Sequence, residues 1–569
     1  MTDAATTARW DKEVDVLVVG SGAGAMASAV FAADRGARTL IVEKSDLYGG
    51  TSATSGGGVW IPASDSALEQ GQQDSPDEAF TYIKELVGNT VADGRIRAFV
   101  ENARVMKREI EARSDLRFTA IPYTDYQAEK PGGKMGYRSH ACNTIHADEL
   151  SPEDFATLRT THKSAMLFGK IPWTIMESAP MITRGPGWKG TMARVLWRYY
   201  GDIAQRLKSP RSRFIVFGSA IAAHLKNALN RSGGKLWLRT ALIELLKGPD
   251  GAIEGAIVAR EGKQLRIRTH KGVILGAGGF ERNQAMRDKY LPGDSRETFS
   301  ASQENNTGDA IEAGMRIGAA IEMMDEAWWA PTVRVPGEDT ARPLFYERAL
   351  PGCIIVNQAG ERYMNEARSY DIAGKAMIDA DRPDARSIPS WIILDARFRK
   401  KYPMGPIIPL LPDFLQSSAA REAWRKASTI AGLAREIGVD PARLERTIAR
   451  VNRFAKTGLD EDFGRGSAPY DRYYGDQSVQ PNPNLAPLDQ PPFYALEVYP
   501  GDIGTKGGLA TDEAARVLDT AGQPIPGLYA IGNTAASVMG PSYPGAGSTL
   551  APAMTFGMLA VQDLLDAKP

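Results

Sequence analysis

The sequence predicts a mixed α/β and α+β protein, with a Rossmann-like sheet domain built from both ends of the chain and an α+β domain inserted between them. Three observations carry this. Residues 14–44 read as strand, glycine turn, helix and strand. Two further apolar strands run into glycines far downstream, GVILGAGGF at 272–280 and GLYAIGN at 527–533. Between them the texture changes to aromatic, proline-broken stretches such as EAWWAP. At 569 residues the chain exceeds a single core. The expected divisions are 12–323, 324–494 and 495–569.

Val14, Val16, Leu17, Val18 and Val19 form the short β-branched run that suits a strand buried on both faces. Gly20 and Gly22, with Ala25 at the third position, match a GxGxxG/A fingerprint in which Ala23 and an extra Gly24 intervene. Such a turn brings bare backbone to a pyrophosphate, and the helix it opens presents free N–H groups and a positive dipole end. Glu43, followed by Lys44, closes the second strand where an acidic side chain takes a ribose hydroxyl. Glycines alone would make only a tight turn; strand, turn, helix, strand and acid in order point to a dinucleotide.

Next come Gly50, Thr51, Ser52, Ser55, Gly56, Gly57 and Gly58, leading straight into Val59, Trp60 and Ile61. A flexible linker does not run into such a strand, so this stretch is expected to lie against a flavin. Ser75, Pro76 and Glu78 fit the N-cap, first turn and capping box of a helical region reaching Arg113. Tyr123, Tyr126 and Tyr137 cluster among turn formers, where the local pattern favours exposed loop tyrosines. Residues 166–190, rich in Met, Trp, Pro and Gly, fit an apolar pocket wall and an irregular core connection equally well.

A helix is expected at 220–230, strands across 235–258, and a helix at 307–320 with Asp309 near its start. Ala277 and Gly278 end the second glycine strand, and Gly532 and Asn533 the third. The last helix begins near Ser548 or Thr549, both good N-caps, with Leu550 next. Its N-terminus would face the flavin's pyrimidine edge, where charge gathers on reduction.

Lys plus Arg equal Asp plus Glu at 68 each, so no basic excess recruits nucleic acid. Cys142 and Cys353 are too few for a disulfide framework or a cysteine metal site, and the five histidines lie outside the motifs. No metal is expected. The start lacks a secretory pattern and no run of about 18 apolar residues occurs. A soluble cytoplasmic protein is expected, with peripheral membrane contact left open.

Together, GSGAGA at Gly20, EK at Glu43, GGTS, SGGG, GAGG at Gly276, VNQAGERYMNE around Asn357 and GLYAIGN resemble the fumarate reductase type of flavoprotein. That resemblance implies an FAD domain split around an inserted catalytic domain. Dicarboxylate-handling relatives carry His and Arg after the last strand, because carboxylates need cationic partners. Here the place reads NTAASVMGPSYPGAGST, with neither, which points to a neutral substrate. With the upstream PGDIGTKGGL, it looks like the 3-ketosteroid Δ1-dehydrogenases, which convert a 3-keto-4-ene steroid to the 1,4-diene.

The resemblance implies FAD held noncovalently, since no histidine stands near 51–58, together with a 3-ketosteroid substrate and an electron acceptor that the sequence does not identify. Residue by residue, the YPG tyrosine falls on Tyr543, the glycine four residues later on Gly547, the tyrosine after the NE pair on Tyr370, and the tyrosine of the DY loop ahead of PGG on Tyr126. Ala546 and Ser548 depart from the family's usual proline and glycine.

The implied chemistry is removal of a weakly acidic hydrogen beside a ketone. Tyr543 and the Gly547 N–H would stabilise the enolate oxygen, Tyr370 would take the proton at carbon 2 with Tyr126 supporting its phenolate, and hydride would leave carbon 1 for the flavin. A second reading is an oxidoreductase for another conjugated ketone, of Δ4-dehydrogenase or enoate reductase type; the Δ4 group places a serine where this chain has Gly545. A third, an electron-transfer subunit, lacks the cysteine cluster or CxxCH its partner centres would need.

Overall fold

The structure, a computed structural model, describes residues 9–183 and 185–566. Its main sheet grows from the strand Lys12–Val19, which is fully apolar over its second half and pairs in parallel on both sides. On one side lie Thr39–Val42 and then Lys235–Trp237; on the other lie Lys263–Leu275 and then Pro524–Ala530, all parallel. An antiparallel meander, Thr240–Lys247 and Ile253–Arg260, extends Lys263–Leu275, and Arg516–Leu518 closes the far edge. The strand that completes this sheet thus comes from the C-terminal part of the chain.

Helix Ala23–Asp34 is buried almost all round because it sits between the sheet and the last helix, Leu550–Asp566. Its small residues permit that approach: a Cβ on Gly24 would lie 2.7 Å from the Ala553 carbonyl oxygen. The helical region from Ser75 is two helices, Pro76–Val87 and Asp93–Arg113, broken at Gly88. Ser75 caps the first by accepting from the Glu78 N–H, as its sequence indicates.

The inserted domain is organised by an antiparallel sheet with the order Arg342–Pro343, Ala327–Val333, Phe493–Thr505, Ser390–Leu394, Cys353–Val356, and Trp424–Ala427 also pairs with Phe493–Thr505. A boundary at 494 would cut Phe493–Thr505 near its start. That strand is hydrogen-bonded to Ala327–Val333 on one side and to Ser390–Leu394 on the other. The chain enters and leaves the insertion side by side, through the two-stranded pairing of Ile321–Glu322 with Gly508–Leu509. Residues 166–190 contribute helix Ile175–Thr183 and the start of Trp188–Tyr200, packed on a small cluster of Leu167, Ile171, Met181, Val195 and Tyr199.

Candidate active site

The C-terminal ends of three parallel strands meet at glycines. Gly20 N–H donates to the Val42 carbonyl, Gly276 N–H to Val19, and Ile531 N–H to Leu275, which brings the three turns into one row. Gly20 has φ +97°, and a Cβ there would lie 2.4 Å from the Gly276 carbonyl oxygen, so no side chain fits. The row opens into a cavity of about 640 Å³.

Bare backbone and small side chains line one arm of this cavity: Gly20, Gly22, Ala23, Gly24 and Ala25 from the first turn, Gly50, Thr51, Ser52, Ser55, Gly56, Gly57 and Gly58 from the second, and Ala277, Gly278, Gly532, Asn533 and Leu550 from the others. The N-terminus of helix Ala23–Asp34 points into it, with Ser52 Oγ accepting from the Ala23 N–H at 3.0 Å. Glu43 lines the far end, its carboxylate oriented by the Ser21 hydroxyl (2.7 Å) and the Ser45 N–H (2.8 Å). Lys44 Nζ reaches Asp309 at 2.6 Å, and both line the cavity. A glycine-walled channel with a helix N-terminus in its middle and an oriented acid at one end fits the pyrophosphate and ribose of FAD.

Ser548 is the exception among the expected cofactor positions. It does not line this cavity; its hydroxyl turns back to donate to the Gly545 carbonyl at 2.8 Å and to accept from the Gly545 N–H at 3.2 Å. This staples the loop where the family's usual glycine would have no side chain to do so.

The other arm is aromatic. Tyr126, Tyr370 and Tyr543 are all buried, and each lines the cavity together with Gly547. Tyr126 Oη donates to Tyr370 Oη at 2.9 Å. The Tyr370 and Tyr543 rings stand edge to face at 5.4 Å, and Tyr126 lies 5.1 Å from Tyr543. Gly547 has φ +100°, and a Cβ on it would sit 2.4 Å from both the N and Cα of Val59. Burial pushes all three phenols up, Tyr126 and Tyr370 well above the usual tyrosine range. The bond from Tyr126 works the other way on Tyr370, favouring its phenolate.

The loop expected to expose its tyrosines is instead clamped inward. Tyr126 N–H donates to the Pro544 carbonyl at 2.8 Å, and Tyr82 Oη donates to the same oxygen while accepting from the Gln127 N–H. Asp125, beside Tyr126, accepts from Trp60 Nε1 (2.8 Å) and pairs with the buried Arg138 guanidinium (3.0 Å). Burial lifts its carboxyl to about 6 against the pull of Arg138. Tyr123, half-buried, meets Tyr474 hydroxyl to hydroxyl.

These partners were missed because they act across the fold: Trp60 is 65 residues from Asp125, and Tyr82 is 462 from Pro544. His162 also lines the cavity, with ring nitrogens bonded to Ser164 and Thr340, and burial holds it down at about 4, hence neutral at pH 7. It lies in no recognisable motif. Residues 166–190 contribute Trp173, Ile175, Ser178, Pro180 and Ile182 to the cavity while Leu167, Ile171 and Met181 pack into a small core, so the segment is both a pocket wall and a core connection.

A split dinucleotide domain whose cleft opens into a pocket of tyrosines defines a flavoprotein oxidoreductase. The family model described as FAD binding domain matches residues 15–550. The chain is 38% identical to the 3-oxosteroid 1-dehydrogenase of Mycobacterium tuberculosis over 582 aligned positions, covering 98% of this chain and 99% of that one. It is also 38% identical to the Mycolicibacterium smegmatis enzyme of the same name, covering 97% of each. A crystal structure of 3-ketosteroid Δ1-dehydrogenase from Sterolibacterium denitrificans in complex with 1,4-androstadiene-3,17-dione superposes with a TM-score of 0.94 at 46% identity, covering 98% of this chain and 100% of that one. The chain therefore belongs to the FAD binding domain family and, within it, to the family of the 3-oxosteroid 1-dehydrogenases. Its cofactor is FAD.

Proposed function

We propose that this protein removes two hydrogens across carbons 1 and 2 of 3-keto-4-ene steroids. The observation that carries this reading is the convergence of Tyr126, Tyr370, Tyr543 and Gly547 on one cavity that continues into the FAD cleft. Among the described residues no arginine lines that cavity, and the one lysine that does, Lys44, is paired with Asp309 in the ribose arm, so the described part of the aromatic arm offers a dicarboxylate no cationic partner. The relatives' names and the steroid in complex with the Sterolibacterium denitrificans enzyme support the same substrate class.

Tyr543 Oη and the Gly547 N–H hold the 3-keto oxygen and stabilise charge as it develops there. Tyr370, as its phenolate, takes the proton from carbon 2 on Oη and becomes neutral, leaving the charge on the enolate oxygen held by Tyr543 and Gly547, while the hydroxyl bond donated by Tyr126 stabilises the phenolate before the transfer. FAD supplies the two-electron acceptor for hydride from carbon 1. The wall of Trp173, Phe345 and the surrounding tyrosines excludes water from the reacting carbons. In this reading the inserted domain spans residues 324–505 and delivers Tyr370, while the FAD-binding parts deliver the other three groups.

The Δ4-type alternative is disfavoured by Gly545. A Cβ there would lie 2.7 Å from the Trp60 indole, so the serine of that group does not fit this loop. No helix of the described residues is long and apolar enough to cross a membrane. Peripheral contact with an anionic membrane is supported by the helices Ile175–Thr183, Trp188–Tyr200 and Ile203–Lys208, on which Met176, Trp197, Ile203 and Leu207 are 64%, 79%, 66% and 84% exposed and which also carry Lys189, Arg194 and Lys208. Cosedimentation with phosphatidylglycerol vesicles, lost in a Trp197→Glu/Leu207→Glu variant, checks it.

Anaerobic titration of the yellow protein with a 3-keto-4-ene steroid and, separately, with succinate tests the main reading. Bleaching by the steroid alone is expected. Bleaching by succinate alone would overturn it.

A further inference from the structure

The PGDIGTKGGL segment shares the family likeness, yet its lysine takes no part in the chemistry above. Lys506 is fully buried. Its Nζ donates to Asp371 Oδ1 at 3.0 Å and to the Pro541 carbonyl at 3.0 Å, and it lies 4.8 Å from the centre of the Trp328 ring. Two of the ammonium's three N–H donors are thereby engaged, and its charge lies against an aromatic ring.

Each of the three partners leads to the aromatic pocket. Asp371 is the residue after Tyr370, in the first turn of helix Tyr370–Asp379. Pro541 stands two residues before Tyr543. The Trp328 ring meets the Tyr543 ring edge on at 4.7 Å and is fixed from behind by its Nε1 bond to Asn533. The Lys506 backbone is pinned as well, its N–H to the Glu326 carbonyl and its carbonyl to the Ser537 N–H. Lys506 itself does not line the cavity.

We propose that Lys506 is a positioning residue for the dehydrogenation, holding the Tyr543 loop and ring in fixed register with the helix that carries Tyr370. The inference rests on the roles proposed above for Tyr370 and Tyr543. Burying a cation here has one consequence that an apolar residue would not provide: one atom grips a carboxylate on the inserted domain and a carbonyl on the FAD-binding part at once. Proton acceptor and oxyanion donor come from different parts of the chain, and a shift of about 1 Å between them is enough to cost on the order of 10² in rate.

The test uses full-length, FAD-loaded Lys506→Met, with FAD content, the steroid Kd from the perturbed flavin spectrum, and the anaerobic rate of flavin reduction as readouts. FAD retained, Kd little changed and reduction slowed by up to about 10² are expected. Lys506→Met is then combined with Tyr543→Phe. If Lys506 acts through the Tyr543 hydroxyl, its effect largely disappears in that background, whereas the same fold-change in both backgrounds overturns the proposal. An unchanged reduction rate in Lys506→Met also overturns it.

Should Lys506→Met alone lose FAD because Asp371 is left as an unpaired buried charge, Lys506→Met/Asp371→Asn removes that charge. This pair is expected to keep FAD and reduce slowly; loss of FAD from it too would make the ion pair purely structural and overturn the proposal. Failure of the underlying reading shows separately, as Tyr543→Phe alone reducing its flavin at the parent rate.

Discussion

Gly547→Ala is a single methyl placed where the structure has no room for it. The added Cβ would begin 2.4 Å from Val59 N and Cα, while carbon contacts are comfortable only near 3.5–4.0 Å, so the backbone must retreat by about 1 Å. The positive φ of +100° adds roughly 1–2 kcal/mol of strain for any residue with a Cβ. A hydrogen bond to the ketone oxygen does not survive a displacement of that size. Losing one oxyanion donor costs about 2.7–4 kcal/mol, or roughly 10²–10³ in turnover. Rapid mixing with steroid under anaerobic conditions measures it as the rate of flavin bleaching, with FAD content and thermal melting as controls. A variant that keeps its FAD and bleaches at close to the parent rate would refute the assignment of the Gly547 N–H.

Tyr370→Phe should bind steroid about as well as the parent while flavin reduction slows by roughly 10²–10⁴, and deuterium exchange at carbon 2 should fall in parallel; loss of binding first would assign the proton transfer elsewhere. Tyr126→Phe removes the bond that favours the Tyr370 phenolate, so the rising limb of the pH–rate profile should move to higher pH; an unmoved limb counts against the Tyr126–Tyr370 couple. FAD should be released by acid precipitation, leaving a colourless pellet, since noncovalent binding is expected; a yellow pellet disproves it. His140 is buried, with its ring nitrogens bonded to the Arg138 carbonyl and to Ser64, and burial lowers its pKa from 6.5 to about 4. The unfolded chain therefore binds the extra proton first, so this stability is fully present above pH 6.5 and lost as pH falls towards 4. Its size is about 3 kcal/mol at 1.36 kcal/mol per unit, and denaturant melts across that range in His140→Gln and the parent should differ in slope.

The parts of the fold that were legible in sequence are those set by local chemistry. Three apolar strands ending in glycine specify strand-end turns wherever they fall in the chain, so the split sheet could be read although Gly20 and Gly532 are far apart in sequence. Ser75 and Pro76 mark a helix start for the same reason. What was not legible depends on partners brought together by folding. The Tyr126 loop reads as an exposed turn because its anchors, Trp60, Tyr82 and Arg138, are held by burial and not by spacing. Phe493–Thr505 begins after a run of prolines and reads as the start of a new part, yet its hydrogen bonds belong to the inserted sheet. Ser548 has the composition of an N-cap facing a ligand, but the nearer Gly545 backbone takes its hydroxyl.

Distribution of the site over two parts of the chain has a consequence for catalysis. Tyr370 belongs to the insertion, whereas Tyr126, Tyr543 and Gly547 belong to the FAD-binding parts, so the 2.9 Å bond between Tyr126 and Tyr370 is itself a contact between the two. The chain passes between them only through the paired segments Ile321–Glu322 and Gly508–Leu509, a narrow neck that by itself fixes orientation poorly. Orientation must come from the contacts made beyond the neck. Some are at the pocket: the strand Ala327–Val333 with Trp328 reaching Tyr543 and Asn533, the Lys506 ammonium, and the tyrosine rings packed edge to face; others are not, among them the buried Arg287–Asp502 pair, the Ser300 hydroxyl on Asp502 and the Arg368–Glu129 pair. The first group surrounds the tyrosine pocket, so part of what seats the insertion also assembles the site. A steroid placed among the rings adds apolar contacts to both parts at once, and its binding and the seating of the insertion are therefore expected to reinforce each other.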